Sequence, residues 1–282
     1  MADFILSGFG DEIADALDTQ MAVMGRLGIR HLELRGIDGR NISTFTAQEA
    51  PALYGRLKAR GFRASALGTP IGKIGIDEPF EEHLAMMRRM LDVAEEMECP
   101  YLRIFSFFIP EGDDPAKHRD EVMRRMEAFV TAAQGRKARL LHENEKHIYG
   151  DIPERCDDLF NIFGDGLGQT YDPSNFVQCS VDNKQAFLLL KDRIDYMHIK
   201  DSVYPERMGG RDHGFEEVSD AHRPAGEGDG NVLWILSELQ RMDYTGFLSI
   251  EPHLTNNPAV PGTGEDKFVA AYEALHGLME TL

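Results

Sequence analysis

Positive charge is in short supply in this chain of 282 residues: 30 Lys and Arg stand against 48 Asp and Glu, a formal net charge of −18. A surface that acidic repels nucleic acid and anionic membranes, so neither is expected as a partner. Cysteine is scarce as well. Cys99, Cys156 and Cys179 are odd in number and show no CxxC spacing. The expectation is three reduced thiols of a cytoplasmic protein rather than a disulfide framework or a zinc knuckle. No stretch approaches the roughly 20 apolar residues of a membrane span. Met1-Ala-Asp followed by Phe4-Ile-Leu-Ser also lacks the basic and long apolar regions of a secretory leader. With no Ser/Gly linker, no low-complexity tract and no second compositional regime, a single domain over residues 1–282 is expected.

What the chain does contain is a regular alternation. An apolar fraction of 42% with 28% charged residues is globular composition. Eight short apolar runs read as strands: Phe4–Ser7, His31–Leu34, Arg63–Leu67, Tyr101–Phe105, Ala138–Glu143, Gly168–Asp172, Ile194–His198 and Phe247–Glu251. Between them lie segments of helical period. Leu17, Met21 and Met24 share a face, as do Leu84, Met87, Leu91 and Ala94, then Val122, Met126, Phe129 and Val130, and near the C-terminus Phe268, Tyr272, Leu275 and Met279. Eight β-then-α units without a polar edge strand predict the α/β class, as a closed (β/α)8 TIM barrel, a fold that takes about 250 residues. One stretch is irregular: Asp201 to Asn231, after the seventh strand, is rich in Gly and Pro. A loop there lies at the C-terminal mouth of a barrel, and a lid over the site is expected.

Residues at the C-terminal ends of different barrel strands converge on that mouth. Four of these strands end in metal-competent residues: Glu143, Asp172, His198 and Glu251, spaced 29, 26 and 53 residues apart. The first two intervals are about one β/α unit each, and the third includes the long loop. Any one carboxylate there is more often just the N-cap of the next helix, and a lone strand histidine more often a satisfied core residue. Together they read differently. Three carboxylates gathered at one mouth repel each other severely without a cation, and one divalent ion resolves the conflict. Three oxygen donors with one nitrogen favour Mn²⁺ or Mg²⁺ and also admit Zn²⁺ or Co²⁺.

Five segments, Leu141-His-Glu-Asn-Glu-Lys146, Tyr171-Asp-Pro-Ser-Asn-Phe176, Met197-His-Ile-Lys-Asp201, Pro224-Ala-Gly-Glu-Gly-Asp229 and Ser249-Ile-Glu-Pro-His253, give the chain a resemblance to the xylose isomerase-like barrels, in their sugar (phosphate) isomerase/epimerase branch. The resemblance spans essentially the whole sequence. It implies that Glu143, Asp172, His198 and Glu251 bind one divalent metal. It further implies that Glu143 and Glu251 flank a small sugar or polyol substrate as acid/base residues, moving a proton through an enediolate. It also suggests a homodimer or homotetramer, as family members commonly form.

Two departures bear on the substrate. Ketose 3-epimerases of this family carry His three residues after the metal Asp, where this chain has Asn175. They also carry Arg shortly beyond the metal His, where Tyr204 stands. Both count against a free-ketose 3-epimerase and leave the metal site intact. Dehydration of a keto-polyol of inosose type on the same site is the alternative. An apurinic-site endonuclease, of the same superfamily, is remote, because Asn175 removes a ligand of its three-metal cluster and the acidic surface opposes DNA. Glu33, Lys73, Arg103, Asn175 and Lys200 are expected to contact substrate, Lys200 because two residues past His198 puts it on the same side of the strand. His142 and His253 neighbour ligands and are expected to support them. Gly72 and Gly75 do not form a phosphate loop.

Overall fold

The computed structural model describes residues 4–208, 221–254 and 257–282. Its framework is eight parallel strands: β1 Ile5–Gly8, β2 His31–Leu34, β3 Arg63–Gly68, β4 Tyr101–Ile104, β5 Arg139–Glu143, β6 Gly168–Tyr171, β7 Ile194–Ile199 and β8 Phe247–Ile250. Each lies within one residue, at either end, of the run predicted from the sequence. They pair in the order β1-β8-β7-β6-β5-β4-β3-β2, and a parallel bridge between Phe9 and Glu33 joins the two ends of the sheet. The predicted TIM barrel is therefore the observed one.

Nine α-helices are described: α1 Leu17–Arg26, α2 Ala50–Ala59, α3 Glu81–Glu96, α4 Arg119–Ala133, α5 Pro153–Phe163, α6 Pro173–Gln178, α7 Asn183–Leu190, α8 Val232–Arg241 and α9 Gly264–Met279. Their apolar faces are the predicted ones. Leu17, Met21 and Met24 of α1, Met87, Leu91 and Ala94 of α3, and Val122, Met126 and Phe129 of α4 are buried. So are Phe268 and Leu275 of α9, while Leu84, Val130, Tyr272 and Met279 are partly buried at the margins. Each fully buried Leu, Met or Phe contributes about 1.5–3 kcal/mol relative to exposure, so the layer between strands and helices holds most of the apolar burial. No helix of the described residues is long and apolar enough to cross a membrane. Cys99, Cys156 and Cys179 are free thiols.

The barrel interior differs from that outer layer. Its apolar content is a small separate cluster of Ala66, Leu141 and Tyr196, edged by Tyr101 and Phe247. Alternation along each strand then puts polar groups two residues further toward the mouth: Glu143 follows Leu141 and His198 follows Tyr196. The β6–β7 register skips Asp195, a bulge of the kind that re-aims the side chains after it.

The long stretch after β7 is anchored at both described ends. Asp201–Ser202 pairs antiparallel with His222–Arg223. The Asp201 carboxylate accepts N–H groups from Gly226, Gly228 and Gly230 at 2.9, 3.0 and 2.8 Å. Residues 209–220, at the centre of the segment read as a lid, lie outside the described residues.

Candidate metal centre

Glu143, Asp172, His198 and Glu251 come from the ends of β5 to β8, are all buried, and each offers a ligand atom within 4.8 Å of the others. His198 Nδ1 lies 3.3 Å from Glu143 Oε1, 3.6 Å from Asp172 Oδ2 and 3.2 Å from Glu251 Oε2. Asp172 is the N-cap that its position invites and still faces the other three residues. Its Oδ1 accepts the Asn175 N–H at 2.9 Å as the N-cap of α6, with Pro173 in the first helical turn, while Oδ2 turns to the centre.

The fit to a cation rests on the atoms left over. His198 Nδ1 and Asp172 Oδ2 are fully buried and have no hydrogen-bond partner, although Lys200 Nζ stands at ion-pair distance, 2.8 Å, from Asp172 Oδ2. Buried polar atoms of native proteins are nearly always satisfied. An imidazole nitrogen facing three carboxylate oxygens is a donor set that suits a divalent ion, and these four residues would hold it.

The opposite atoms of the ligands are also engaged. His198 Nε2 lies 3.0 and 3.2 Å from the two oxygens of Glu33, and Phe9 packs edge-on to the ring with centroids 5.2 Å apart. Glu143 Oε2 accepts from Arg103 Nη1 at 2.6 Å. Glu251 Oε1 accepts from Arg35 Nη1 at 3.0 Å and lies 3.1 Å from His253 Nε2. Each glutamate thus gives one oxygen to the centre and the other to an arginine.

Charge follows from these pairings. Burial alone would raise the Glu143 carboxyl, but Arg103 and His198 outweigh it and hold it below the usual carboxylate range. Burial likewise opposes ionisation of Glu251, and Lys200, His253 and His198 hold it well below that range. Burial would lower His198; Glu33, Glu143 and Glu251 overcome it and raise the imidazole well above 6.5. A metal ion on Nδ1 would need that nitrogen unprotonated.

The predicted substrate contacts separate into two groups. Glu33 and Arg103 lie inside the barrel behind the ligands, Glu33 on the ring nitrogen remote from the centre and Arg103 between Glu143 and the Thr69 carbonyl, 3.3 Å from Nη2. Lys73, Asn175 and Lys200 line a cleft of about 250 Å³, whose wall meets the centre through Asn175 and Lys200. Lys73 Nζ pairs with Glu145 Oε2 at 2.8 Å above the Phe105 ring. Asn175 Nδ2 donates to Glu143 Oε1 at 3.1 Å and to the Asn144 carbonyl at 2.9 Å. Lys200 Nζ donates to Glu251 Oε2 at 3.2 Å. His253 is also on the cleft, whereas His142 turns outward to Ser106 Oγ at 2.9 Å, and burial pushes it down to about 3. Tyr204 donates its hydroxyl to the Val181 carbonyl at 3.2 Å.

Sequence reading missed Arg35, which bridges Asp11, Glu12 and Glu251, and the cleft residues Glu145, Lys146, His147, Gln178 and His222. A signal existed for two of them. Arg35 and Glu145 lie two residues past Glu33 and Glu143, on the same side of an extended chain.

Solved structures share the whole architecture. The chain superposes on the IOLI protein with a binding zinc atom at a TM-score of 0.77 and 12% identity, covering 100% of this chain and 99% of that one. For the probable 3-DHS dehydratase AsbF, involved in petrobactin synthesis, from Bacillus anthracis, the TM-score is 0.75 at 16% identity, with 97% and 98% covered. For D-allulose 3-epimerase from Methylomonas sp. in complex with D-allulose it is 0.71 at 14% identity, with 100% and 98% covered. No curated protein matches the chain. The family model of the xylose isomerase-like TIM barrel matches residues 22–274, nearly the full length of the barrel just described, and the chain belongs to that family.

Proposed function

We propose that this protein is a metal-dependent isomerase or epimerase of a sugar or polyol-derived hydroxy-carbonyl compound, working by proton transfer at the carbon beside the carbonyl. One observation carries the reading: Glu143 and Glu251 enter from β5 and β8, and each presents one oxygen to His198 Nδ1 while an arginine fixes the other. A carboxylate held that far into its ionised form is ready to accept a proton but is a weak base. The C–H from which it takes a proton must therefore be made acidic. Glu143, Asp172, His198 and Glu251 would hold a divalent cation, which when bound would supply this by polarising the carbonyl, with Mn²⁺ or Mg²⁺ favoured by the oxygen-rich set.

The chain's own residues do the rest. One glutamate takes the proton and the other returns one from its own side. Arg103 and Arg35 keep both carboxylates from rotating away. Lys200 has one N–H beyond the two directed at Asp172 and Glu251, and with it holds a substrate oxygen in register with the reacting carbon, while Asn175, both of whose amide hydrogens go to Glu143 and the Asn144 carbonyl, keeps Glu143 in place. The small cleft suits a single small polar molecule rather than a polymer. Asn175 and Tyr204, standing where the ketose 3-epimerases have His and Arg, favour a second reading, dehydration of a keto-polyol by loss of a β-hydroxyl from the same deprotonated substrate. The deciding experiment is a metal-supplemented screen of ketoses and inososes in D₂O, read by NMR. Deuterium entering at the carbon beside the carbonyl supports isomerisation or epimerisation, and loss of water supports dehydration. Neither change with any substrate, in protein shown to be metal-loaded, overturns the proposal.

A further inference from the structure

The loop that carries Lys73 is fastened along the chain that continues β4. Phe105 donates its N–H to the Ile71 carbonyl at 2.8 Å, Phe107 to that of Gly72 at 3.1 Å and Phe108 to that of Ile74 at 2.8 Å. Gly72 takes a φ of +87°, and a Cβ there would stand 2.0 Å from the Phe105 carbonyl oxygen, so only glycine lets the two segments approach this closely. Lys73 therefore reaches the cleft from a fixed backbone, with its ammonium 4.4 Å from the centre of the Phe105 ring. Its partner is fixed too. Glu145 Oε2 accepts from Lys73 Nζ at 2.8 Å and Oε1 from the Lys146 N–H at 3.0 Å, and its side chain is only 15% exposed. An ordinary surface ion pair is worth little because two long side chains must be ordered to make it; here the backbone and the Phe105 ring order both in advance.

The pair leaves hydrogen-bonding capacity on both partners. Among the described residues Lys73 gives one of its three N–H groups to Glu145, and the carboxylate has lone pairs beyond the two in use. A hydroxyl both donates and accepts, so one O–H set against the pair donates to Glu145 while accepting from Lys73. A ligand carboxylate or phosphate only accepts; it would gain Lys73 but meet the charge of Glu145 beside it, and like charges so placed are strongly disfavoured. Lys200, on the same wall, is likewise committed to Asp172 and Glu251. We infer that the Lys73–Glu145 pair is a specificity-determining element that reads a hydroxyl group of the substrate, and that the substrate is a neutral polyhydroxy carbonyl compound rather than a phosphorylated or carboxylated one. This rests on the isomerase or dehydratase reading of the site and narrows it.

The test is calorimetry on the Mn²⁺-loaded protein with four probes: D-fructose and scyllo-inosose, both neutral, and D-fructuronate and D-fructose 6-phosphate as the carboxylate and phosphate counterparts of fructose. The better-bound neutral probe should bind about tenfold or more tighter than either charged one. Glu145→Gln keeps an amide in place of the carboxylate and leaves the Lys73 charge unmatched. It should weaken the neutral probe about tenfold, the loss of a hydrogen bond to a charged group, and strengthen the charged probes several-fold. Lys73→Gln should weaken the neutral probe and give the charged ones no gain. Lys73 is one-third exposed, so this second variant tests the pair where circular dichroism shows that Glu145→Gln disturbs the fold. A charged probe bound as tightly as the better neutral one in the parent, binding by none of the four, or losses equal across all probes in the variants overturns the inference. Proton exchange and loss of water in D₂O are followed on the same samples. Neutral preference that Glu145→Gln reverses, with no chemistry on any probe, leaves the hydroxyl-reading pair standing and counts against the isomerase or dehydratase reading. Chemistry on the probes with no neutral preference does the reverse.

Discussion

Glu33 holds His198 from behind: both of its oxygens lie within 3.2 Å of Nε2, while Nδ1 faces Glu143, Asp172 and Glu251. A carboxylate on the remote nitrogen keeps the proton there, leaves the Nδ1 lone pair for a metal, and fixes the ring plane. Such partners are typically worth about 10–100-fold in metal affinity. Glu33→Gln should therefore bind Mn²⁺ about that much more weakly while the barrel melts as a cooperative unit. Competition titration against a chelating dye measures it. Metal affinity unchanged within twofold would show that Glu33 only balances charge.

A pair of glycine substitutions separates a required backbone from a tolerant one. A Cβ at Gly228 would stand 2.3 Å from Asp201 Oδ1 and 2.6 Å from the Ser202 carbonyl, and the backbone atom cannot swing aside. Gly228→Ala should cost about 1–3 kcal/mol, the range for forced overpacking, and quicken proteolysis between Asp201 and Asn231. Gly55 lies in α2 with nothing within 4 Å of its Cβ position, so Gly55→Ala should stabilise by about 0.5–1 kcal/mol. Urea midpoints on both variants decide it, and equal effects would be the wrong result.

The sequence made the frame readable because it obeys local rules. Each strand ends within a residue of its predicted limit, and Glu143, Asp172, His198 and Glu251 come together where β5 to β8 reach the mouth. What stayed hidden depends on neighbours distant in the chain. Nothing local announces that Arg35 reaches Glu251, 216 residues away, or that the expected substrate residues Glu33 and Arg103 sit behind the ligands. Lys146, His147 and His222 join one cleft only because loops from different β/α units meet there. Glu145 and Arg35 were accessible in principle, since extending the two-residue period one step past a strand end places both.

His83 gives the mouth a pH dependence remote from the ligands. Its Nδ1 accepts the Gly72 N–H at 2.9 Å, which requires a neutral ring. Burial, with help from Arg125, lowers it below 6.5 despite the opposing Glu78 and Glu82. Below pH 6.5 the unfolded chain therefore binds this proton more readily than the native one, and stability falls as pH falls. His83→Asn keeps an acceptor near the same place and removes the titration. The loss in urea midpoint between pH 7.5 and pH 5 should be smaller in the variant than in the parent. An identical loss would mean that the Gly72 bond does not depend on the state of His83.

The last prediction separates holding metal from moving a proton. Alanine at Glu143 or Glu251 would remove a ligand and confound the two. Glutamine keeps the shape and one oxygen donor but is a far weaker base. At Glu143 its amide would also meet Arg103 Nη1, now 2.6 Å from Oε2, and at Glu251 Arg35 Nη1, now 3.0 Å from Oε1. Both arginines only donate, so the amide oxygen turns to the arginine and its NH₂ to the centre, unless a bound metal draws the oxygen inward and leaves the NH₂ facing the arginine. Each variant should accordingly keep part of its metal affinity, weakened in proportion to how often the NH₂ faces inward. General acid–base help is typically worth about 10²–10⁴-fold, so turnover measured at saturating Mn²⁺ should fall at least about a hundredfold in each. Deuterium exchange at the acidic carbon should slow unequally, because the remaining glutamate still works from its own side. Normal metal binding with turnover within a few-fold of the parent, in either variant, makes that glutamate a ligand alone, and a mechanism with two bases then fails.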